Sequence, residues 1–376
     1  MRRFTAGLLA AIPLLAACGS TTRVATNAAN PSLHPAPDTT PSATAAPLAE
    51  LHNGTPPGPM RGFDVGYDPV TRQLILHAGS TIGDNPTYIS QTWAWDGQRW
   101  TRLAPRTELP PQAGGAMSVD PVSGHLMFMG GDAFSESSDA GGNNVASWSP
   151  NLGTWLWDGA TWKRVADNPA QGGGPALAVD DATHQLLVNS PDIRGVGTTD
   201  DLESSGPAWY THGSFRWTGT AWRPVPAHDD TQWLFAAIAY DPISRRLIQA
   251  GGQAQNPVED TEAWDGSRWT KLSPPNPTTE GPAAAATDRS TGRVVLLTMS
   301  PDKPSLCATW TWDGGDWVRQ IVDEPPQSIL NGGTAQMVWD PALGRIILVA
   351  WAGGSSKELQ MWAWDGVDSG WEKLAP

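Results

Sequence analysis

The sequence predicts an all-β chain folded as a six-bladed β-propeller of four-stranded antiparallel blades, because two signatures return six times in the same order. The first is an Asp turn, usually Asp-Pro, between two apolar runs. The second is an aromatic hairpin that reads Trp-x-Trp-Asp-Gly-x-x-Trp in its fullest form. The turn aspartates lie 47 to 61 residues apart, at Asp68, Asp120, Asp180, Asp241, Asp288 and Asp340. A period near 50 residues with four short strands per unit is typical of a propeller.

The second repeat illustrates how one unit predicts one blade. Residues 116–119 alternate small and apolar side chains and predict the innermost strand, and residues 126–129 are continuously apolar, as in a strand buried on both faces. Residues 155–157 and 162–165 predict the third and outer strands, joined by a two-residue turn at Asp158-Gly159. With that turn, Trp155 and Trp162 are expected to be cross-strand partners.

The repeats place the propeller within residues 51–376. The six blades are expected at about 60–105, 112–169, 172–229, 232–275, 281–326 and 333–376. The last repeat has its own outer strand, from Trp371 to Leu374, so the ring is expected to close without a strand from the N-terminus. Residues 48–51 are a candidate for an additional strand on the edge of the sixth blade.

Residues that recur once in every blade are predicted to be structural. This applies to the six turn aspartates, whose carboxylates can accept backbone N–H groups, and to the 16 tryptophans of the hairpins, which are expected to pack blade against blade. Five tryptophans lie outside the pattern: Trp148, Trp209, Trp233, Trp339 and Trp351.

The first 18 residues indicate export. Arg2 and Arg3 precede an apolar segment, residues 4–15, that is too short for an ordinary membrane span. Residues 15–18, Leu-Ala-Ala-Cys, resemble a bacterial lipobox, which implies a signal peptide at 1–17 and lipidation of Cys18 with diacylglycerol. The alternative is an ordinary signal peptide cleaved after an alanine. Residues 18–50 are rich in Ala, Pro, Thr and Ser and predict a disordered tether.

Composition fits an exported protein. The net charge of −14 argues against nucleic acid as a partner and against electrostatic attraction to anionic lipid. Besides Cys18 the sequence contains only Cys307, so no intrachain disulfide framework is expected. We therefore expect a protein anchored by lipid on the extracytoplasmic side of the bacterial cell membrane.

The inner strand, the apolar strand ending in Gly-Gly and the hairpin with a late Trp together resemble the kelch repeat of kelch and galactose-oxidase-like propellers. The resemblance covers residues 60–376. The glycine pair is intact only at Gly130-Gly131 and Gly251-Gly252, and the hairpin is tighter than the usual kelch hairpin. The chain is therefore interpreted as a divergent kelch-like propeller.

The sequence departs from the site residues of two propeller enzyme families. A galactose-oxidase copper site needs two His, two Tyr and a Cys near one Tyr, and none of the four tyrosines lies near Cys307. Residues 159–162 resemble the end of the sialidase Asp-containing motif, but Trp157 stands where its Asp belongs. The sequence therefore predicts no catalytic residue, no cofactor and no metal.

Candidate ligand-binding residues lie where one repeat differs from the other repeats. Trp148 and Trp209 belong to the two longest insertions between second and third strands, and Trp351 follows an apolar strand in the sixth blade. Long loops on one face of a rigid ring are the usual place for recognition. We predict that these three tryptophans bind a ligand, with Asp192 and Arg194 as polar contacts.

Other interpretations of the insertions remain open. Trp148 and Trp209 could pin their own loops to the body. The oxygen-bearing side chains of residues 132–151 and 190–214 could hold calcium, although they show no ordered ligand spacing, which favours solvated loops.

These observations favour a binding or scaffold propeller that recognises a glycan, a peptide or an envelope protein. The alternative is a sialidase-like or oxidase-like carbohydrate-active enzyme, with a site at the channel mouth built from Arg61, Asp64, Ser118 and Gln336.

Overall fold

The protein is described by a computed structural model. The described residues are 52–53, 57–58, 60–77, 79–81, 87–138, 144–150, 153–169, 174–193, 210–226, 236–251, 261–276, 278, 284–300, 302–303, 305–330, 334–351 and 359–375. The predicted signal peptide, Cys18 and the tether lie outside this part of the chain.

The described residues form six antiparallel sheets in chain order, which confirms the all-β, six-bladed prediction. Blade 1 contains β1 (His52–Asn53), β2 (Asp64–Asp68), β3 (Gln73–His77), β4 (Thr92–Trp95) and β5 (Trp100–Arg102). Blade 2 contains β6 (Ala113–Val119), β7 (Leu126–Ser138), β8 (Asn144–Pro150), β9 (Gly153–Trp157) and β10 (Trp162–Asp167). Blade 3 contains β11 (Ala176–Asp180), β12 (Gln185–Ile193), β13 (Tyr210–Trp217) and β14 (Trp222–Val225).

The remaining three blades follow the same plan. Blade 4 contains β15 (Ala237–Asp241), β16 (Arg246–Ala250), β17 (Thr261–Trp264) and β18 (Trp269–Leu272). Blade 5 contains β19 (Ala284–Asp288), β20 (Arg293–Met299), β21 (Cys307–Trp312) and β22 (Trp317–Arg319). Blade 6 contains β23 (Thr334–Asp340), β24 (Arg345–Trp351), β25 (Gln360–Trp364) and β26 (Trp371–Leu374).

Apart from the additional strands β1 and β8, each blade has four core strands, and the first of these is the innermost. The innermost strands β2, β6, β11, β15, β19 and β23 form a ring, in which each lies next to those of the two neighbouring blades and β23 lies next to β2. Since the four core strands of a blade run antiparallel, the Asp turns and the aromatic hairpins lie at one end of the ring, which we call the turn face. The links between second and third strands and between blades lie at the other end, the loop face.

The six turn aspartates are structural, as predicted. Each is buried, and each accepts a hydrogen bond from the backbone N–H two residues later; Asp68 Oδ1, for example, lies 3.0 Å from Val70 N. The residue four positions after the Asp has a positive φ in every blade. It is Gly124, Gly292 or Gly344 in three blades and Arg72, His184 or Arg245 in the others.

The aromatic hairpins have a different register from the predicted one. Trp162 pairs with Trp157, whereas Trp155 pairs with Arg164, so the expected Trp155–Trp162 pairing is wrong. The connection is a four-residue loop, in which Asp158 Oδ1 accepts the N–H groups of Ala160 and Thr161, both at 2.9 Å. The Asp carboxylate therefore lengthens the turn by two residues and moves the pairing to the second Trp of the motif.

The core lies between neighbouring blades. Second-strand side chains such as Leu126, Met127, Phe128 and Met129 are fully buried. Fourteen of the 16 hairpin tryptophans are buried, and Trp155 and Trp310 are half-buried. The prediction that these tryptophans pack blade against blade is confirmed, because each core cluster draws on adjacent blades.

A hydrogen bond links the late Trp of one blade to the preceding blade. The indole Nε1 donates to a Thr Oγ1 at the start of the preceding third strand, in four pairs: Trp162–Thr92 (3.0 Å), Trp222–Thr154 (2.8 Å), Trp317–Thr261 (2.8 Å) and Trp371–Thr309 (2.9 Å). Between blades 1 and 6, Trp100 Nε1 instead lies 3.3 Å from Met361 Sδ, in the position equivalent to Thr. Sulfur is a weaker acceptor than a hydroxyl oxygen.

The ring closes through side chains, since β26 completes blade 6 with its own outer strand. The N-terminal strand β1 adds to the outer edge of blade 1, where His52 pairs with Arg102. The candidate strand at residues 48–51 lies outside the described residues. Among the described residues the one helical element is a 3-10 turn at Gln327–Ile329, and no helix there is long and apolar enough to span a membrane.

Candidate functional site on the loop face

The loop face departs from the repeat in blade 2. Strand β7 continues past the blade body and pairs with β8 in seven register pairs, from Asp132 opposite Pro150 to Ser138 opposite Asn144. Residues 132–151 were expected to be a loop, so the largely two-stranded structure corrects that expectation. At about 3.3 Å per residue, the six steps from Asp132 to Ser138 project the ribbon roughly 20 Å.

Trp148 lies on this ribbon, opposite Phe134 in the β7–β8 register. Strand β8 reads Asn-Val-Ala-Ser-Trp-Ser-Pro, and its Val and Trp belong to the β-branched and aromatic types that favour strands. The prediction that Trp148 contacts a ligand stays a prediction.

Blade 3 has a shorter extension of the same kind. Strands β12 and β13 pair from Ser190–Gly213 outward to Ile193–Tyr210, and Asp192 pairs with Thr211. Arg194 and Trp209 follow and precede these strands directly and lie outside the described residues. The two extensions therefore arise from the loop-face ends of adjacent blades. Trp148 and Asp192 lie on their strands, and Arg194 and Trp209 adjoin the blade 3 strands in the sequence.

Trp351 does not fit the prediction of an exposed aromatic ring. It is the last residue of β24 instead of following it, and only 2% of its surface is exposed. It packs in the core cluster between blades 6 and 1 with Phe63 and Val349. Stacking on a ligand needs an open aromatic face, so Trp351 serves the core.

The channel mouth is organised by three glycines at the start of the inner strands. Gly62, Gly114 and Gly174 have φ of 65°, 73° and 75°. Gly174 N donates to Gly114 O (2.7 Å), Gly114 N donates to Gly62 O (2.8 Å), and Gly62 N donates to Thr334 Oγ1 (2.7 Å). This chain of hydrogen bonds joins blades 3, 2, 1 and 6 around the mouth.

The four channel-mouth residues of the enzyme interpretation have different surroundings. Arg61 is exposed, and its backbone bridges to Ser80. Ser118 and Gln336 are half-buried on their inner strands. Asp64 is only 1% exposed and points into the seam between blades 1 and 2, where Oδ2 accepts the N–H of Gly115 at 3.0 Å. The Asp64 side chain therefore does not face the open mouth of the channel.

The seam between blades 1 and 2 contains ionisable groups kept neutral by burial. Burial raises the pKa of Asp64 to about 8, and the hydrogen bond from Gly115 offsets this only in part. His77 is the register partner of Asp64, and burial lowers its pKa to about 4. Its ring meets the ring of Phe128 edge-on, with centroids 5.5 Å apart. Both groups are therefore uncharged near pH 7.

Asp132 lies at the base of the blade 2 ribbon and is half-buried. Burial raises its pKa to about 6. Among the described residues, no group of three or more His, Cys, Asp or Glu side chains is placed to hold a metal ion.

Sequence reasoning missed His77, which is buried in this seam against Phe128, and Gln112, which is buried beside Gly131 of blade 2. For His77 the sequence does contain a sign of this, because the residue found there differs from those at the same position in the other repeats. Counted from the turn Asp, the position of His77 holds Met129, Asn189, Ala250, Leu297 and Val349 in the other blades. A histidine there is detectable once the six second strands are aligned.

The comparisons with known proteins concern the fold. No family model matches the chain, and no curated protein matches it in sequence. The solved structure of YjhT is similar, with a TM-score of 0.55 and 12% identity over 87% of this chain and 99% of that one. The structure of the SapL1 lectin in complex with alpha methyl fucoside gives a TM-score of 0.47 and 16% identity, over 86% and 98%. At such identities, the similarity to YjhT shows a shared propeller fold and nothing about the ligand.

Proposed function

We propose that this chain is an extracytoplasmic binding or scaffold propeller, anchored to the bacterial cell membrane through Cys18, which recognises a glycan, a peptide or an envelope protein on its loop face. The observation that supports this most is the pair of hairpins extending from blades 2 and 3. In the other blades the second strands have five to seven residues, whereas β7 has 13 and β12 has nine.

The extensions are not needed to build a blade of the ring, because the four other blades form without them. An isolated two-stranded ribbon is only marginally stable in water, so a long one is expected where it has a use. Trp148 and Trp209 would supply aromatic surface, and Asp192 and Arg194 would supply hydrogen-bonding groups beside it. Such a combination suits sugars and peptides, which expose both apolar and polar groups.

The test begins with a glycan array and a peptide array probed with the full-length protein in detergent. For any ligand found, Trp148→Ala and Trp209→Ala are expected to weaken binding at least tenfold while the melting temperature stays unchanged. Asp192→Asn and Arg194→Ala should weaken it less. Val122→Ala is the control, because Val122 is exposed on the opposite, turn face. Unchanged binding by both tryptophan variants would refute a loop-face site.

One observation favours the enzyme alternative. Arg61 is exposed at the loop-face end of the first inner strand and could attract an anionic sugar. A fluorogenic sialoside tests this directly. Turnover by the wild type that Arg61→Ala abolishes, together with normal ligand binding by the tryptophan variants, would replace the binding proposal with a sialidase-like activity.

A further inference from the structure

The seam between blades 1 and 2 contains polar atoms for which the protein supplies no partner. Asp64 Oδ2 accepts the N–H of Gly115, but Oδ1 is buried and has no hydrogen-bond partner. Gln112, from the link that enters blade 2, is 1% exposed, and neither Oε1 nor Nε2 of its side chain has a partner. Buried polar groups are almost always hydrogen-bonded, so these three atoms of Asp64 and Gln112 require an explanation.

These groups lie around Gly115 of β6 and Gly131 of β7. A Cβ at Gly131 would lie 3.2 Å from the carbonyl oxygen of Ala113, 3.4 Å from Gly115 N and 3.5 Å from Gln112 Cδ. Gly115 N is the atom that Asp64 contacts at 3.0 Å. The carbonyl oxygen of Ala113 and the carboxamide of Gln112 therefore lie close to the main-chain amide that the Asp64 carboxyl contacts.

Asp64 is also a departure from the repeat. Four other blades carry alanine at the same distance before the turn Asp, namely Ala116, Ala176, Ala237 and Ala284, and blade 6 carries Gln336. Alanine completes the inner strand without the cost of a buried carboxyl group. An acid at this one position therefore indicates a role outside the propeller framework.

We propose that Asp64 Oδ1, Gln112 Oε1 and the main-chain carbonyl oxygen of Ala113 bind a hard cation of the calcium class in the seam between blades 1 and 2. Calcium takes carboxylate, side-chain amide and main-chain carbonyl oxygens together and completes its shell with water. A water in that shell can accept from Gln112 Nε2. With a single carboxylate, such a site differs from the clusters of acidic or His ligands that are absent among the described residues.

The experiment measures thermal unfolding of the full-length protein at pH 7 in EDTA and in millimolar Ca²⁺. Wild type is expected to melt about 3 °C or more higher with Ca²⁺. Asp64→Asn and Asp64→Ala should lose this increment, and Gln112→Leu should reduce it. Each variant is compared with itself in EDTA, so a change in its basal stability does not affect the result. The alanine variant is expected to fold, since four sibling blades carry that residue.

The matched control is Asp132→Asn, which removes a half-buried acid at the base of the blade 2 ribbon and should retain the increment. Loss in Asp132→Asn with retention in both Asp64 variants would overturn the proposal and place calcium in the blade 2 ribbon. No increment in wild type would also overturn it, leaving a bound water as the partner of the three atoms.

Discussion

Trp162 Nε1 in blade 2 donates a hydrogen bond to Thr92 Oγ1 in blade 1 across 3.0 Å, and Thr92 Oγ1 in turn donates to Glu108 Oε2 at 2.9 Å. The same sequence of contacts joins Trp371, Thr309 and Glu324 between blades 6 and 5. The threonine hydroxyl therefore acts as acceptor and donor at once, and it connects a buried indole to a carboxylate in the link that leaves its own blade.

Replacing Thr154 with Val tests the Trp–Thr bond with little change in shape. The variant leaves Trp222 Nε1 buried without its acceptor, which is expected to cost about 1–3 kcal/mol in the free energy of unfolding. Denaturant unfolding followed by tryptophan fluorescence measures the loss. Thr220→Val, at an exposed turn position, should change stability by less than about 0.5 kcal/mol. Equal losses in the two variants would contradict a specific role for the bond.

Trp162→Ala removes a side chain that is buried between blades 1 and 2. The change combines the loss of apolar burial with a cavity and is expected to cost about 3–5 kcal/mol. Trp155→Ala is the matched comparison in the same hairpin and should cost less, because Trp155 is half-buried. A loss below about 1 kcal/mol for Trp162→Ala would mean that the hairpin tryptophans do not hold the blades together.

The free energy of unfolding of Glu108→Gln, relative to that of the wild type, is expected to increase as pH rises. Burial is the largest cause of the raised pKa of Glu108, which means that the folded state holds the proton more tightly than the unfolded state. The wild type therefore loses stability from this group as pH rises from its ordinary value through the raised one, and glutamine removes that loss.

Urea unfolding between pH 4 and pH 7 checks this prediction. The stability difference between Glu108→Gln and wild type should grow with pH across the lower part of the range and then level off. Gln98→Ala, at an exposed neutral residue, should show a constant difference. A difference that shrinks with rising pH would show that the ionised carboxylate stabilises the fold.

The lipid anchor is tested by metabolic labelling with a fatty-acid analogue. Wild type should incorporate the label and Cys18→Ala should not, since Cys18 is the expected site of the thioether. Cys307→Ser provides the control and should label normally, because Cys307 is buried in β21. Equal labelling of wild type and Cys18→Ala would exclude the lipobox interpretation.

The fold was predictable because the same pattern of strands and turns recurs in six blades, so an error in one repeat is corrected by the other five. The register of the hairpins was not predictable, because Asp-Gly usually forms a two-residue turn. In this structure the carboxylate of Asp158 binds the amides of Ala160 and Thr161 and enlarges the loop. Side-chain capping of this kind depends on geometry that the dipeptide alone does not specify.

The candidate site was less predictable because it consists of departures from the repeat. The long insertions of blades 2 and 3 could be located in the sequence, but their extended pairing could not. Trp351 was misassigned because strand β24 includes this residue and its ring is buried in the core. Asp64 was assigned to the open mouth, whereas the alternation of β2 directs it at Gly115 of the next blade.

Each blade is built from one uninterrupted stretch of chain, and blades 6 and 1 meet through side chains such as Trp100 and Met361 without sharing a strand. The order of the blades around the ring is therefore independent of where the polypeptide is opened. A circular permutant that joins the end of blade 6 to the start of blade 1 and begins instead at blade 5 should assemble the same six-membered ring. In that permutant the Trp317–Thr261 hydrogen bond links the two terminal blades, and the indole–sulfur contact of Trp100 with Met361 lies between two blades that the chain joins directly.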